Sequence, residues 1–451
     1  MTKRTYSSRR RPWGASLLAL GLMVGVAGCD SLLDVENPNN IAGDDILNPT
    51  AASALANGAL SGVARGYSEI MASYSTVTDE LEWVGSRDAY QELDFGNPQN
   101  PFNEFVDAQY PELAQGNWMA REAVRVLTQH QADGNLADPT DLGRAELYLA
   151  ISYIIIGDMF DDFVYSDRQD AQPPVGEANM GAQTYDLAIA ALNTAISIAQ
   201  SEGDTGLETA AMGFRARAEH GRAVWNKVGT RPIDTSNSGL VSAPAAATDA
   251  AAALALMGSD NYTWDFTYAS STVSNSLAGW VNLRQEMRFA QSYTSPDPTG
   301  NPTYDQVTLT DPIDVGTVSP ILESTILGFT AGDNFPSMTL ISAREMYLIM
   351  AEDALASGNT AGFATNINAL RAIDGLTAWD QAAPQVPALD LLIHHRRTDL
   401  FLQGRRLADE YRFQDASAEW QPSSTAMTQP GTFFPITVIE CRANPNIPDS
   451  C

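Results

Sequence analysis

The sequence predicts a mainly α fold: a tetratricopeptide-like α-α superhelix with a loop-rich, aromatic-containing insertion. Three observations predict it. Helical periodicity dominates residues 45–230, fades over 231–337 and returns over 338–415. Successive helical stretches alternate small Ala-rich positions with bulky apolar ones, as stacked antiparallel helix pairs require, although no strict repeat period is visible. The chain is also long enough, at 451 residues, for a large core or two domains.

The first stretch lies outside that plan. Residues 1–12 carry Lys3, Arg4, Arg9, Arg10 and Arg11, and no acidic residue precedes Asp30. An apolar run follows from Ala15 to Ala27. It is shorter than the ~20 residues a spanning helix needs. A basic segment, a short apolar segment and small residues read as a secretory signal. The run ends Val26-Ala27-Gly28-Cys29, which resembles a bacterial lipobox. Residues 1–28 are then a lipoprotein signal peptide and Cys29 is the lipid attachment point. The alternative is a plain signal peptide with an incidental cysteine.

Charge excludes one class of partner. The chain has 55 acidic and 26 basic residues. Loss of residues 1–28 removes five basic and no acidic ones, so 26 becomes 21 and the formal net charge moves from −29 to −34. Such a surface repels phosphate backbones, so nucleic acid is excluded as a partner. Lysine is nearly absent, with only Lys3 and Lys227, as in proteins of saline settings. Cys441 and Cys451 flank a short C-terminal segment. In an exported protein they are expected to form a disulfide that pins the tail 430–451, the alternative being two free thiols. The four histidines, His130, His220, His394 and His395, form no zinc spacing with cysteine, and neither metal nor cofactor is implied.

The helical elements follow in order. "NPTAASALANGALSGVARGYSEIMASYS" is Ala-rich after an Asn-Pro-Thr start. "NWMAREAVRVLTQH" sets Trp118, Ala123, Val126 and Leu127 near one face. "DLGRAELYLAISYIIIGDMF" is apolar almost all round and should be deeply buried. "AQTYDLAIAALNTAISIAQ" carries a stripe of Tyr185, Ile189, Leu192, Ile196 and Ala199. "LETAAMGFRARAEHGRAVWNKVG" makes another long helix, with Trp225 on its core face. In residues 231–337 Pro, Gly, Ser, Thr and Asn rise, and periodicity survives only in the Ala-rich run 243–257. Aromatics cluster there: Tyr262, Trp264, Phe266, Tyr268, Trp280, Phe289, Tyr293 and Tyr304. This predicts long loops with a few short strands, and the aromatics argue against disorder. Helices return in "SAREMYLIMAEDALASG", "TAGFATNINALRAIDG" and "ALDLLIHHRRTDLFLQGRRLADEYRF". In the last, Leu389, Leu392, Arg396, Leu400, Gly404, Leu407 and Tyr411 fall at helical steps and predict one continuous helix.

Several of these blocks, in this order, resemble the SusD/RagB family of bacterial outer-membrane lipoproteins. "DSLLDVENPN" after Cys29 is similar to its post-lipidation segment. "DLGRAELYLAISYIIIGDMFDDFVYS" is similar to its RA-x-x-Y-x-x-L-x-x-x-F-G-D-V-P helix, without the closing proline. "REMYLIMAEDALASGNTAGFATNINALRA", "RRTDLFLQGRRLADEYRF" and "FFPITVIECRANPNI" are similar to its three C-terminal blocks. The resemblance covers most of residues 29–451. It implies a surface-exposed, lipid-anchored outer-membrane protein that captures oligomeric nutrients, most often glycans and sometimes peptides. The implied partner is a SusC-like TonB-dependent outer-membrane transporter.

Two segments carry the mix that sugar recognition needs: aromatic faces for ring C–H groups, and planar polar side chains for hydroxyls. They are "TDELEWVGSRDAYQELDFGN" and "NYTWDFTYASSTVSNSLAGWVNLRQEMRFAQSY". The candidate ligand-binding residues are Asp79, Trp83, Arg87, Tyr90, Trp264 and Trp280. Each aromatic has a packing role as its alternative, and the alternation Tyr262-Trp264-Phe266-Tyr268 fits a strand packed on the helical body. Charged residues on the C-terminal helices must be paired if buried. Arg396 to Arg406 with Asp399, Asp409 and Glu352 therefore read as interhelical ion pairs. No nucleophile elbow, phosphate loop or metal signature appears, so no enzyme is expected. A tetratricopeptide scaffold for protein partners is the remaining alternative.

Overall fold

Helix α1 (Ala52–Val77) follows from its composition, since Ala is the strongest helix former. Its glycines serve packing. A Cβ on Gly66 would lie 2.8 Å from Leu113 Cα, and one on Gly116 would lie 2.6 Å from the Gly62 carbonyl oxygen. Backbone can therefore approach backbone where α1 meets the helix that carries Leu113 and Gly116. The structure, a computed structural model, describes residues 47–166, 170–229, 233, 238–296 and 305–447. The expected signal peptide 1–28, Cys29, Tyr304 and Cys451 lie outside the described residues. Cys441 is disulfide-bonded; its partner is not among the described residues.

A short strand β1 (Leu81–Trp83) and a two-turn helix α2 (Asp88–Asp94) follow α1. Helix α3 (Glu104–Ala132) starts at Asn103, whose side chain accepts from the amides of Phe105 and Val106 at 3.2 and 3.3 Å. Helix α4 (Thr140–Met159) is buried nearly all round, as its composition predicts. Helices α5 (Glu177–Glu202) and α6 (Thr205–Val228) are joined by Gly203 in the left-handed region and by Asp204, which caps α6 through the Leu207 amide at 2.9 Å. So tight a connection forces the two helices antiparallel. Helix α7 (Pro244–Met257) is the Ala-rich run of the insertion. Strands β2 (Thr263–Phe266), β3 (Met287–Phe289), β4 (Thr294–Pro296) and β5 (Asp305–Val307) come next. Helix α8 (Pro320–Ala331) and strand β6 (Met338–Ser342) close the insertion. Helices α9 (Ala343–Ala356), α10 (Thr360–Ile373), α11 (Ala388–Asp399), α12 (Arg406–Phe413) and α13 (Val438–Ala443) complete the chain.

The helices pack in a continuous series. α1 lies on α3, both lie on α4, and α4 on α5; α5 lies on α6, α6 on α7, α7 on α9, and α9 on α10 and α11. This is the tetratricopeptide-like stack the sequence predicts. The strands pair in three antiparallel two-stranded sheets, β1 with β3, β2 with β6 and β4 with β5. Among the described residues no helix is long and apolar enough to cross a membrane.

A buried ionic network ties the last helices to the first ones. Asp158 on α4 accepts from Arg405 at 2.7 and 2.8 Å, from Arg217 at 3.1 Å and from Tyr185 at 2.6 Å. Glu352 on α9 binds Arg412 at 3.1 Å and His220 at 3.0 Å. Asp409 accepts from Arg396 and Arg412, both at 2.8 Å. Burial alone would raise the Glu352 carboxyl, but Arg412 and His220 hold it well below the usual carboxylate range. Arg396 thus finds the expected partners Asp409 and Glu352. Asp399 instead binds Arg344 at 2.8 Å and His395 at 3.0 Å, and Arg406 reaches back to Asp79.

Two expectations are corrected. The stripe from Leu389 to Tyr411 is two helices, broken over residues 400–405. Leu402 and Gly404 take positive φ there, 57° and 71°. The break frees the Leu402 amide to donate to buried Glu80 at 2.7 Å, and the Gln403 carbonyl to accept from Arg217 at 2.8 Å. Helical periodicity cannot register a break imposed by partners so distant in sequence. The insertion also holds α8, which the fading periodicity hid; its start is marked by Ser319 followed by Pro at the first position.

Candidate functional site at the rim of β1 and β3

The two aromatic segments singled out in the sequence meet. Residues 79–95 and 280–291 are joined by the β1–β3 pairing, with Trp83 opposite Met287 and Leu81 opposite Phe289. Between them the chain turns through residues 84–87, and Glu286 holds that turn. Its carbonyl accepts from the Val84 and Gly85 amides at 3.0 and 3.1 Å. Its carboxylate accepts from the Ser86 amide at 2.7 Å, the Ser86 hydroxyl at 3.0 Å and the Arg87 amide at 3.0 Å. Glycine suits position 85, because a Cβ would lie 2.7 Å from Glu286 Cα and would displace the Glu286 carboxylate that holds the turn.

Helix α2 begins at this turn, and its two faces differ. Tyr90, Leu93 and Asp94 point inward and are buried. Asp88, Gln91, Glu92 and Phe95, at helical spacing, face an open groove of about 520 Å³. Asn97, Phe102 and Glu104 form its far side. Phe102 is 56 % exposed. Asn100 and Asn103 donate to the two oxygens of Glu92 at 2.8 and 2.9 Å and fix that wall.

Trp280 stands on the Tyr90 side of α2, in a five-residue π-helical turn, Gly279–Leu283. It packs edge-on against the stacked rings of Tyr90 and Phe105, with centroids at 5.2 and 5.1 Å. The Arg284 guanidinium lies 4.4 Å from its ring. Leu283 beside it is 57 % exposed, and Gln285 has φ of 53°. π-Turns and positive φ at non-glycine residues concentrate at functional sites. The rim therefore offers an aromatic ring, two exposed guanidinium-bearing residues and a hydroxyl, and the groove, lined by residues 88–104, lies on the other face of α2 with an exposed Phe.

The candidate residues divide. Trp83, Arg87 and Trp280 belong to this rim: Arg87 is exposed at the head of α2, and Trp83 and Trp280 are half-buried. The Trp83 indole N–H is buried without a partner, and its backbone amide donates to Asp94 at 3.2 Å. Burial raises the Asp94 carboxyl to about 8. Two assignments are corrected. Tyr90 is fully buried, its ring stacked on Phe105 at 3.9 Å, and it supports Trp280 from beneath. Asp79 is buried and bound by Arg406 at 2.6 Å, Arg397 at 2.9 Å and the Tyr293 hydroxyl at 3.0 Å. Burial would raise its carboxyl, and Arg406 and Arg397 outweigh that and lower it. It is a clamp between the α1–β1 turn and α12. Trp264 is not brought to the rim. It lies on β2 against Tyr148 of α4 and Phe214 of α6, while Phe266 meets Tyr67 of α1 and the Tyr268 hydroxyl donates to the Ala64 carbonyl at 3.0 Å. The alternating aromatics thus glue a strand to the helical body. Phe102 was missed, and its position between Pro101 and Asn103, outside any helical stripe, was the available signal.

The molecule is a tetratricopeptide-like helical stack with a polar, aromatic-edged groove along α2. No family profile matches the chain, and no curated protein is significantly similar to it in sequence. Solved structures are similar in fold. A SusD superfamily protein from Bacteroides thetaiotaomicron superimposes with a TM-score of 0.61 at 13% identity, covering 89% of this chain and 98% of that one. A SusD superfamily protein from Parabacteroides distasonis does so with a TM-score of 0.58 at 11% identity, covering 91% and 99%. A SusD-like carbohydrate binding protein from Bacteroides vulgatus gives 0.53 at 11% identity, covering 82% and 84%. The chain has the SusD-like fold.

Proposed function

We propose that this chain is a SusD-like outer-membrane lipoprotein, anchored through Cys29 and facing outward, that binds oligomeric nutrients, glycans foremost. It delivers them to a partner SusC-like TonB-dependent transporter and performs no chemistry on them. The observation that carries this reading is the groove along α2 with its exposed Phe102 and the Trp280–Arg284 rim. Stacking faces next to fixed amide and carboxylate groups are what a chain of sugar rings requires. The similarity in fold to a carbohydrate binding protein supports it. The acidic wall of Asp88, Glu92 and Glu104 favours a second reading, in which the oligomer is a basic peptide.

The test is calorimetric titration of the folded protein with a panel of oligosaccharides and a panel of basic peptides. Saturable glycan binding that weakens about tenfold, ~1.4 kcal/mol, in Trp280→Ala and in Phe102→Ala is the expected result. Peptide binding alone would transfer the site to the second reading. Silence in both panels would sink the proposal. Affinity capture from native membranes should recover a large β-barrel; recovery of soluble partners alone would favour the scaffold.

A further inference from the structure

Three buried residues hold the inner side of the short helix α2: Tyr90, Leu93 and Asp94. The first two are anchors of ring and alkyl surface with no exposure, whereas Asp94 is a carboxyl that is 4% exposed. Its Oδ2 accepts from the Trp83 amide of β1 at 3.2 Å, and its Oδ1 is buried without a partner. We propose that Asp94 is a proton-operated latch: it seats α2 on β1 as the neutral acid, and opening of α2 releases that proton.

The surroundings favour the acid over the anion. An ionised carboxylate at this depth needs a cation or several donors. Among the described residues no arginine, lysine or histidine pairs with Asp94. The charged groups that face it are both acidic. Glu82 comes from β1, and its carboxylate already takes Arg288 of β3 and the Gln291 amide at 3.1 Å. Glu419 comes from the segment before Trp420 and is exposed. The helices α1 and α3 also pack against α2, but neither brings a charge to Asp94. On α1, Glu69 accepts from the Ser276 hydroxyl at 2.8 Å. On α3, Glu104 lines the groove and Asp107 accepts from the Ile439 amide at 2.8 Å. Burial is the largest cause that raises the Asp94 carboxyl, from an ordinary 3.8 to about 8; Glu419 and Glu82 add to it, and the Trp83 amide opposes it.

Opening of α2 returns Asp94 to water, where it ionises in its ordinary range. The seated state therefore binds one more proton than the open state between about pH 4 and about pH 8. Its support is complete below pH 3.8, weakens as pH rises and is gone once pH has passed through 8. Groove and rim both follow the latch. Asp88, Gln91 and Glu92 on the outer face of α2 line the groove, and Tyr90 on its inner face carries Trp280. The latch concerns how α2 is seated and stands whether or not the groove binds glycans.

The experiment is hydrogen exchange of the α2 amides, residues 88–94, read by mass spectrometry from about pH 5 to about pH 7.5 and corrected for the chemical exchange rate. In the parent protein the corrected protection should fall about tenfold per pH unit. Asp94→Asn keeps an acceptor for the Trp83 amide and cannot ionise, so its protection should be flat over that range. Asp94→Leu cannot ionise either and should be flat as well. Thermal unfolding verifies that each variant is folded. A flat profile in the parent protein overturns the proposal without recourse to any variant. So does a parent slope that persists in Asp94→Asn or Asp94→Leu. No ligand enters this measurement, so its failure and that of the glycan reading are told apart.

Discussion

Glu80 shows how strongly single residues are committed to the scaffold. It is 1% exposed, accepts from the Leu402 amide at 2.7 Å and the Ser75 hydroxyl at 3.1 Å, and burial pushes its carboxyl up to about 7 from an ordinary 4.5. The folded state therefore binds this proton more tightly than the unfolded chain. Its contribution favours folding below pH 4.5 and is lost as pH rises through 7. Glu80→Gln mimics the protonated form. At pH 8 the variant should be the more stable protein, by up to about 3 kcal/mol, and at pH 5 the difference should shrink. His220 and His394, held by burial near 4, lose stability as pH falls from 6.5, but equally in both proteins. Denaturant melts at the two pH values check this; a variant less stable at pH 8 would refute it. Residue roles were only partly legible in the sequence. Charge repetition on the C-terminal helices foretold Arg396–Asp409, whose members are close in sequence. It could not foretell Asp79 with Arg406, whose separation is 327 residues, and so Asp79 passed for a ligand contact. Tyr90 was misread because a two-turn helix does not reveal which of its faces is outside.

At the scale of elements, periodicity was most reliable where packing is local and repeated. The α4, α5 and α6 helices are as the sequence predicts, and α5 meets α6 through a small-to-large contact. A Cβ on Gly181 would lie 1.5 Å from Trp225 Cδ1. Gly181→Ala improves helix propensity by about 1 kcal/mol, yet it forces Trp225 off its stack on Phe433, whose centroid is 5.6 Å away. Overpacking of this kind costs ~1–3 kcal/mol. The variant should therefore melt lower, with a changed tryptophan emission; a higher melting temperature would show that propensity prevails. Elements set by long-range partners were not legible. The α11–α12 break answers to Glu80 and Arg217, and β1 and β3 are three-residue strands that exist only because they pair.

The whole molecule carries its acid excess on the outside, because the buried carboxylates described above are largely paired with arginine. Self-repulsion of a formal −29 to −34 opposes compaction, and salt screens it. The melting temperature should rise between about 20 mM and about 1 M NaCl, a range over which the screening length shortens several-fold. A fall would mean that attraction between surface pairs outweighs the net repulsion. The superhelical class was legible because many helices vote for it together. The rim was legible only as composition, because residues 79–95 and 280–291 meet only through the β1–β3 pairing.

The β1–β3 pairing has a temporal consequence. A chain emerging from its amino end exposes β1 by residue 83, yet the partner strand begins at residue 287. Everything needed for helices α1 to α7 is present long before, so the stack can mature while the rim stays open. A chain interrupted after Met257 would own α2 and its outward face but not Trp280, Arg284 or the Glu286 staple. Closure of the rim is thus a late acquisition, withheld until more than half the polypeptide has been delivered.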